Sequence, residues 1–344
     1  MTALALPRRS DWPFVALVLA CGAGGLALAH TPLAGRWGLG ALALALLVGL
    51  LVAQPLPAPW RRRAQPALVL FKGPVLKTAI VLYGLRIPMD AVAQLGPAVL
   101  VLDAVQILVS LLLAGWLGPW LFRMPRNAAL LIGAGNGICG AAAVLAAEPV
   151  LRGRDRDGAM AVAAVVVFGT LNMLLLPVLF HHWPTLFGDP GNFALFTGAT
   201  VQEVAQVLVA AQAMSPALVD TALLVKMARV MMLAPALMLL ALAARGGNGA
   251  GTGAAGPRLP VPPFALWFVL AMVVNGLGLI PGALRPALTS VDDVLLTLAM
   301  AGLGLSTHMS LLREAGWRPL ALGALLWATV LMVAGTALAA GWVG

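Results

Sequence analysis

The sequence predicts an all-α polytopic membrane protein, and three observations lead to this fold class. Hydrophobic residues make up 61% of the 344 positions and charged residues only 10%, whereas a soluble domain carries about 25% charged residues. Apolar runs of about 18 residues or more, long enough to span a bilayer as a helix, recur along the whole chain. Glycine (38 residues) and proline (25 residues) are frequent, as in membrane helices whose neighbours satisfy an interrupted backbone.

Roughly eleven hydrophobic segments lie between charged or proline- and glycine-rich breaks. Their predicted bounds are 14–30, 37–54, 67–86, 95–121, 127–151, 158–180, 193–213, 219–243, 263–281, 292–308 and 317–342. Residues 244–263 are predicted to form a flexible loop between a first part (12–243) and a second part (264–344) of one membrane domain, 1–344. The start of the chain resembles a signal peptide, but its apolar run continues to His30, which favours an uncleaved first span.

The positions of Lys and Arg predict the topology, because cytoplasmic loops carry an excess of both. If all segments crossed fully, with the N-terminus inside, the cluster Arg152, Arg154 and Arg156 would lie outside. If the fifth and seventh segments are broken or re-entrant, this cluster moves inside, and the loop 181–192, which has no Lys or Arg, moves outside. We therefore predict nine full spans and two broken or re-entrant helices, with the N-terminus in and the C-terminus out.

An internal repeat is predicted at a fixed offset of 220 residues. Ala79, Gly84, Leu85, Met89 and Gly96 meet, in order, Ala299, Gly304, Leu305, Met309 and Gly316. The first copy leaves the cytoplasm and the second returns to it, so the copies are inverted. Inverted repeats are typical of secondary transporters, whose substrate site lies where the repeats meet. Coincidence in a sequence rich in Ala, Gly and Leu is the alternative.

The fifth segment contains GAGNGICG, which predicts a broken helix. Its glycines permit unwinding and Asn136 tolerates left-handed geometry. A helix that restarts near Ile138 would present free N–H groups and a positive dipole end, which together favour an anion. Close helix packing by small residues is the alternative. The candidate substrate-binding residues here are Gly133, Gly135, Asn136, Gly137, Ile138, Cys139 and Gly140.

The seventh segment, FALFTGATVQEVAQVLVAAQ, concentrates polar residues in an apolar helix. Thr200, Gln202 and Gln206 are candidate substrate ligands, and the spacing of the two glutamines predicts one helical face. Glu203 is a candidate coupling or gating residue, because a carboxylate within a membrane segment indicates a working site. Lys226 or Arg229 in the next segment could form an ion pair with it.

Three further residues complete the candidate site. Asp103 in the fourth segment and Lys77 in the third are either relay groups for coupling or partners of each other. Ser306 could line a polar path to the substrate. No pattern predicts a metal site, a disulfide or a cofactor, since Cys21 and Cys139 both lie in apolar segments.

Several segments resemble the YeiH-like sulfate exporter family, inner-membrane proteins of the cation/proton antiporter and anion transporter superfamily. The resemblance covers roughly residues 12–342 and includes ICGAAAVLAAEPVL, EVAQVLVAA, VKMARVMMLAPAL and AMAGLGLSTHMSLLREAGWRP. It implies a carrier with inverted repeats and discontinuous helices that meet at the centre. The family usually has Ser-Ile-Cys-Gly where this chain has Asn136-Gly137-Ile138-Cys139-Gly140, and a His where it has Gln202. Without that imidazole, coupling through Glu203 or no coupling is expected.

The function expected from these observations is that of a multi-pass secondary transporter of the bacterial inner membrane, exporting sulfate or a related sulfur oxyanion. Its expected partners are a small anion, the lipid bilayer and protons, with a homodimer left open and no nucleic acid, because no basic segment is soluble enough to dock a duplex. A cation/proton antiporter that uses Glu203 and Asp103 as ligands is the first alternative. An intramembrane enzyme is less favoured, because no histidine lies beside Cys139 in the sequence.

Overall fold

The computed structural model describes residues 11–31, 40–87, 96–151, 155–245, 263–308 and 316–343. All regular secondary structure in these ranges is helical, so the predicted fold class is confirmed. Most of the predicted loop 244–263, the residues Arg152 and Arg154 of the basic cluster, and the repeat residues Met89 and Met309 lie outside the described residues.

The described helices follow the predicted segments closely. They are α1 (Trp12–Ala29), α2 (Ala41–Ala53), α3 (Ala58–Gly84), α4 (Gly96–Trp120), α5 (Arg126–Gly137), α6 (Ala141–Leu151), α7 (Asp155–His182), α8 (Asn192–Thr200), α9 (Val204–Met214), α10 (Val219–Met231), α11 (Leu233–Arg245), α12 (Pro263–Gly276), α13 (Arg285–Ser306) and α14 (Trp317–Ala339). The fifth and seventh segments are each broken into two helices, α5 with α6 and α8 with α9, as predicted, and the eighth segment also contains two helices, α10 and α11, which the sequence did not predict.

Two helices begin earlier than the hydropathy pattern predicts, and both contain charged residues. α3 includes Arg61, Arg62 and Arg63 in its first turns and passes Pro74 through a π-helical turn, Phe71–Val75. α13 includes the neighbouring carboxylates Asp292 and Asp293, which both bind Arg86. Arg86 therefore compensates the negative charge that the two carboxylates place within α13.

Seven helical stretches among the described residues are long and apolar enough to cross a bilayer. Four shorter apolar helices, between 10 and 17 residues long, include α2 and the second halves of both broken helices, α6 and α9. The predicted orientation, with the N-terminus in and the C-terminus out, and the count of nine full spans stay predictions.

The chain divides into two compact units. Unit 1 comprises residues 1–92 and 263–309, and therefore contains α1, α2, α3, α12 and α13. Within it α13 packs on α2 at very short range, since a methyl group at Gly49 would lie 2.5 Å from the Ala301 carbonyl oxygen. Only glycine allows two backbones to approach this closely.

Unit 2 comprises residues 93–262 and 310–344, and contains α4 to α11 together with α14. Here α5 packs on α4 through Gly133 and Gly137, which lie four residues apart. A methyl group at Gly133 would lie 2.9 Å from the Ser110 carbonyl oxygen, and one at Gly137 would lie 2.9 Å from Ser110 Cβ. These two glycines form the small-residue seam that was the alternative to unwinding.

Contacts within unit 1 support the internal repeat. The end of α12 donates from Asn275 Nδ2 to the Ile87 carbonyl oxygen at 3.0 Å, after α3 has ended. The end of α2 donates from Gln54 Nε2 to the Thr307 carbonyl oxygen at 3.2 Å, after α13 has ended. The two acceptors, Ile87 and Thr307, are 220 residues apart, and the two donors are 221 residues apart, which agrees with the predicted offset to within one residue. A side-chain amide therefore binds the backbone at the same point of each copy.

The glycines that start the next helix in each copy also agree. Gly96 at the start of α4 has φ +64°, and Gly316 just before α14 has φ +78°. Both are in the left-handed region, which favours glycine. The inverted orientation of the copies stays a prediction.

Candidate functional site

The first break lies between α5 and α6, at Ile138, Cys139 and Gly140, and belongs to unit 2. The predicted unwinding at Gly133 to Gly137 is wrong, because α5 continues through these residues. The N–H groups of Ile138 and Gly140 donate to the carbonyl oxygens of α5. Most of the amides that were expected to bind an anion are thus used within the helix, and the backbone turns at Gly140, where φ is +72°.

The second break lies between α8 and α9, at Val201, Gln202 and Glu203. Gln202 therefore lies outside the helix. The prediction that Gln202 and Gln206 share one helical face is wrong. Glu203 is the N-cap residue of α9, and its N–H donates to Gln206 Oε1 at 3.3 Å, which is the arrangement of a capping box.

The Glu203 side chain connects the two breaks. One of its carboxylate oxygens accepts a hydrogen bond from the Ala141 N–H, at the first residue of α6, over 3.4 Å. Gly140 allows this contact, since any Cβ at that position would fall on the Glu203 side chain. The carboxylate thus lies at the positive N-terminal ends of both α6 and α9, where a negative charge is stabilised.

Two buried cations on α10 lie at the C-terminal ends of α5 and α8, the first halves of the two broken helices. Lys226 Nζ donates to the Ile138 carbonyl oxygen at 2.9 Å, just after the C-terminal end of α5. Arg229 donates to the Ala199 carbonyl oxygen near the C-terminal end of α8. Both side chains are completely buried. Each cation therefore balances the partial negative charge of a helix C-terminus inside the protein.

Asp103 on α4 is the buried counter-charge of Arg229. Its Oδ1 lies 3.6 Å from Arg229 Nε, and both side chains are fully buried. Arg229 also donates to Gln106 Oε1, and Gln106 in turn donates to the Val330 carbonyl oxygen of α14 at 3.1 Å. Asp103 is thus paired with Arg229 rather than with Lys77.

The charged side chains around the breaks therefore do not pair as the sequence analysis predicted. The predicted ion pair of Glu203 with Lys226 or Arg229 is not found among the described ion pairs, because the cations bind carbonyl oxygens and Asp103. Lys77 lies in unit 1, where its Nζ is 6.0 Å from the centre of the Phe264 ring.

A pair of carboxamides also crosses between the breaks. Gln202 Nε2 donates to Asn136 Oδ1 at 3.4 Å, and Asn136 Nδ2 donates to the Ile132 carbonyl oxygen of its own helix at 3.1 Å. Both side chains are buried. The residue types that the sequence singled out at 136 and 202 are therefore in direct contact.

The remaining candidate residues have mainly local partners. Thr200 Oγ1 donates to the Phe196 carbonyl oxygen, and Gln206 Nε2 donates to Thr170 Oγ1 at 3.4 Å. Cys139 is a buried free thiol within the first break. Ser306 lies in unit 1 and donates to the Leu303 carbonyl oxygen of its own helix. Among the described side chains no group of three His, Cys, Asp or Glu residues could hold a metal ion.

Two residues of the site were missed by the sequence analysis. Gln106 completes the Arg229 network, and Thr170 orients Gln206. Gln106 could have been found, because it lies three residues after Asp103 and so shares its helical face. Thr170 carries no such pattern.

Comparison with known proteins identifies the family. The family described as "Conserved hypothetical protein 698" matches residues 13–323. A UPF0324 membrane protein of Pseudomonas aeruginosa is 43% identical over 302 residues, which is 87% of this chain and 85% of that protein. The UPF0324 inner membrane proteins YeiH of Salmonella typhi and Escherichia coli strain K12 are 37% and 36% identical, each over 97% of both chains. The chain belongs to the UPF0324 family.

As a UPF0324 protein it is a multi-pass protein of the inner membrane, in agreement with the names of these relatives and with its membrane-spanning helices. No solved structure matches the chain. The family match includes both breaks, the cations of α10 and Asp103.

Proposed function

We propose that this UPF0324 protein is a secondary active transporter that exports a small oxyanion, sulfate or a related sulfur oxyanion, with protons as the coupling ion. The observation that carries the proposal is the position of the Glu203 carboxylate on the N-terminus of α6. A carboxylate is itself a small oxyanion. The protein therefore already uses this helix end to hold the chemical group that a substrate anion would present.

The surrounding charges favour an anion over a cation. Lys226 and Arg229 place two buried basic side chains beside the breaks, and Asp103 is paired with one of them. A cation/proton antiporter would need Glu203 and Asp103 as ligands of one ion. Here the Glu203 carboxylate accepts from an N–H group and Asp103 is paired with a guanidinium, so both carboxylates already have partners other than a metal cation.

Coupling to protons follows from competition at the same helix end. While Glu203 is ionised, its carboxylate occupies the N-terminus of α6 and repels a second anion. Protonation removes that charge, so the Ala141 N–H becomes available to the substrate. A proton and an anion would thus bind together and cross the membrane in the same direction, so that export would be driven by the outward gradient of the anion. In this proposal the activity is transport and not catalysis.

The test is uptake of labelled sulfate, sulfite and thiosulfate into proteoliposomes, with and without a pH gradient. In the wild type we expect flux of at least one anion that the gradient accelerates. Glu203→Gln cannot ionise, so it should keep exchange of that anion and lose the response to the gradient. Asp293→Asn, which alters a carboxylate in unit 1 with 57% of its side chain exposed, is the control and should respond as the wild type does.

Two results would contradict the proposal. Absence of flux for all three anions, in protein that remains folded, removes the sulfur-oxyanion assignment. An undiminished response of Glu203→Gln to the pH gradient removes Glu203 from the coupling step.

A further inference from the structure

The orientation of the carboxamide pair between the breaks follows from a chain of hydrogen bonds. The chain starts at the Ile132 carbonyl oxygen, which can only accept. Asn136 must therefore point its NH₂ group at Ile132, and this leaves Asn136 Oδ1 to face Gln202. Because that oxygen is also an acceptor, Gln202 must present its own NH₂ group to it. Neither amide can be turned over without placing two acceptors or two donors together.

This series of hydrogen bonds ends at Gln202, whose side-chain oxygen is left without a partner among the described residues. Gln202 Oε1 is buried and accepts no hydrogen bond from any residue that the structure describes. It belongs to a side chain with no exposed surface, in the second break, one residue before Glu203. A buried acceptor requires a donor, since leaving it unpaired is unfavourable.

We propose that Gln202 selects substrate anions that carry a hydrogen-bond donor in addition to their negative oxygens. This inference rests on the proposed function and narrows its substrate class. An anion oxygen would replace the Glu203 carboxylate at the Ala141 N–H, while an O–H or N–H group of the same anion would donate to Gln202 Oε1. Among the sulfur oxyanions, hydrogen sulfite has such a donor and the sulfate dianion has none.

Sulfamate and methanesulfonate provide a matched test of the donor. Both are small, singly charged anions with three sulfur-bound oxygens, and they differ in having NH₂ or CH₃ as the fourth group. Their inhibition of labelled-anion uptake into proteoliposomes is measured at one pH, with the labelled substrate that the wild type transports best. A site that forms a hydrogen bond with its substrate discriminates strongly against an analogue that lacks the donor group. We therefore expect sulfamate to inhibit at concentrations at least roughly 10-fold lower than those needed for methanesulfonate.

Two variants assign the effect to Gln202. Gln202→Met keeps the length of the side chain and removes the acceptor, so the two inhibitors should become nearly equal. Gln212→Met is the control, because Gln212 on α9 also has a side-chain oxygen with no described partner but lies away from the break. It should keep the preference for sulfamate.

The outcomes separate this inference from the proposed function. If the wild type transports a labelled anion but both inhibitors act equally, the acceptor is satisfied in another way and the inference is wrong, while the proposed function stands. A preference that survives in Gln202→Met also contradicts it. If no labelled anion is transported, the proposed function itself fails. The wild-type comparison remains decisive even if Gln202→Met does not fold.

Discussion

Replacement of Gly140 by alanine tests the central geometry of the site. Gly140 has φ +72°, and a methyl group there would lie 3.2 Å from the nearer Glu203 carboxylate oxygen and closer still to its Cγ. The Glu203 side chain would have to move away from the N-terminus of α6. The variant therefore combines backbone strain with the loss of the hydrogen bond from the Ala141 N–H to the carboxylate.

The magnitude follows from these two contributions. A non-glycine residue in the left-handed region costs about 1–2 kcal/mol. A hydrogen bond to a charged group contributes about 1.5–3 kcal/mol, and its length of 3.4 Å here indicates the lower end of that range. We expect Gly140→Ala to lower the free energy of unfolding by roughly 2–4 kcal/mol.

Unfolding of the purified protein in mixed micelles, driven by a denaturing detergent, measures this free energy. Gly96→Ala is the matched control, because Gly96 has φ +64° and no atom lies within 4 Å of the added methyl group. It reports the backbone strain alone. A double-mutant cycle with Glu203→Ala isolates the contact, since Gly140→Ala should cost only the strain once the glutamate side chain is absent.

A Gly140→Ala variant that is no more destabilised than Gly96→Ala would contradict the proposed contact between Gly140 and Glu203. So would a cycle in which the two substitutions are simply additive. Either result would mean that Gly140 does not make room for Glu203, and that the carboxylate is not held at the N-terminus of α6.

Two further predictions concern unit 1 and use the same unfolding measurement. Gly304→Ala should lower the free energy of unfolding by about 2 kcal/mol or more, because its methyl group would fall on the backbone of α2, whereas Gly73→Ala, with open space around it, should change stability by less than about 1 kcal/mol. Arg86→Met should lower the free energy of unfolding by about 2–4 kcal/mol, because it leaves the buried Asp292 carboxylate unpaired; the loss is smaller than for a fully buried pair, since Arg86 is 32% exposed. Asp293→Asn should lower it by only about 0–1 kcal/mol, because the Asp293 side chain is 57% exposed. Equal effects within either pair would contradict the assignment of the close contact or of the buried ion pair.

The existence of both breaks could be predicted from the sequence, but their positions could not, since the second break ends between Gln202 and Gln206, which the spacing placed on one helical face. Glycine spacing alone does not distinguish a glycine that unwinds a helix from one that lets a neighbour approach. Gly133 and Gly137 do the second, because α4 packs against them, and only Gly140 turns the chain. The deciding information is the position of Ser110, which lies in another helix.

The charged residues of the site could be predicted as a set but not as pairs. Asp103, Glu203, Lys226 and Arg229 were all recognised as charges inside apolar segments. Their partners are backbone carbonyl oxygens and an amide at the ends of broken helices, together with one ion pair between α4 and α10. A sequence records no helix ends of this kind, so the pairing of Glu203 with a cation was the natural expectation.

The discontinuous composition of unit 1 has a consequence for the order in which the protein assembles. α1, α2 and α3 are synthesised first, yet the helix that packs most closely on α2, and the carboxylate that binds Arg86, arrive only with α13. Until then the surface of α2 around Gly49 lacks the helix that covers it in the folded protein. Most of the residues that surround the two breaks, in contrast, leave the ribosome as one continuous stretch from α4 to α10. A nascent chain halted after α11 therefore already contains Glu203, the Ala141 amide that binds it and both buried cations, whereas α12 and α13 of unit 1 have not yet been synthesised.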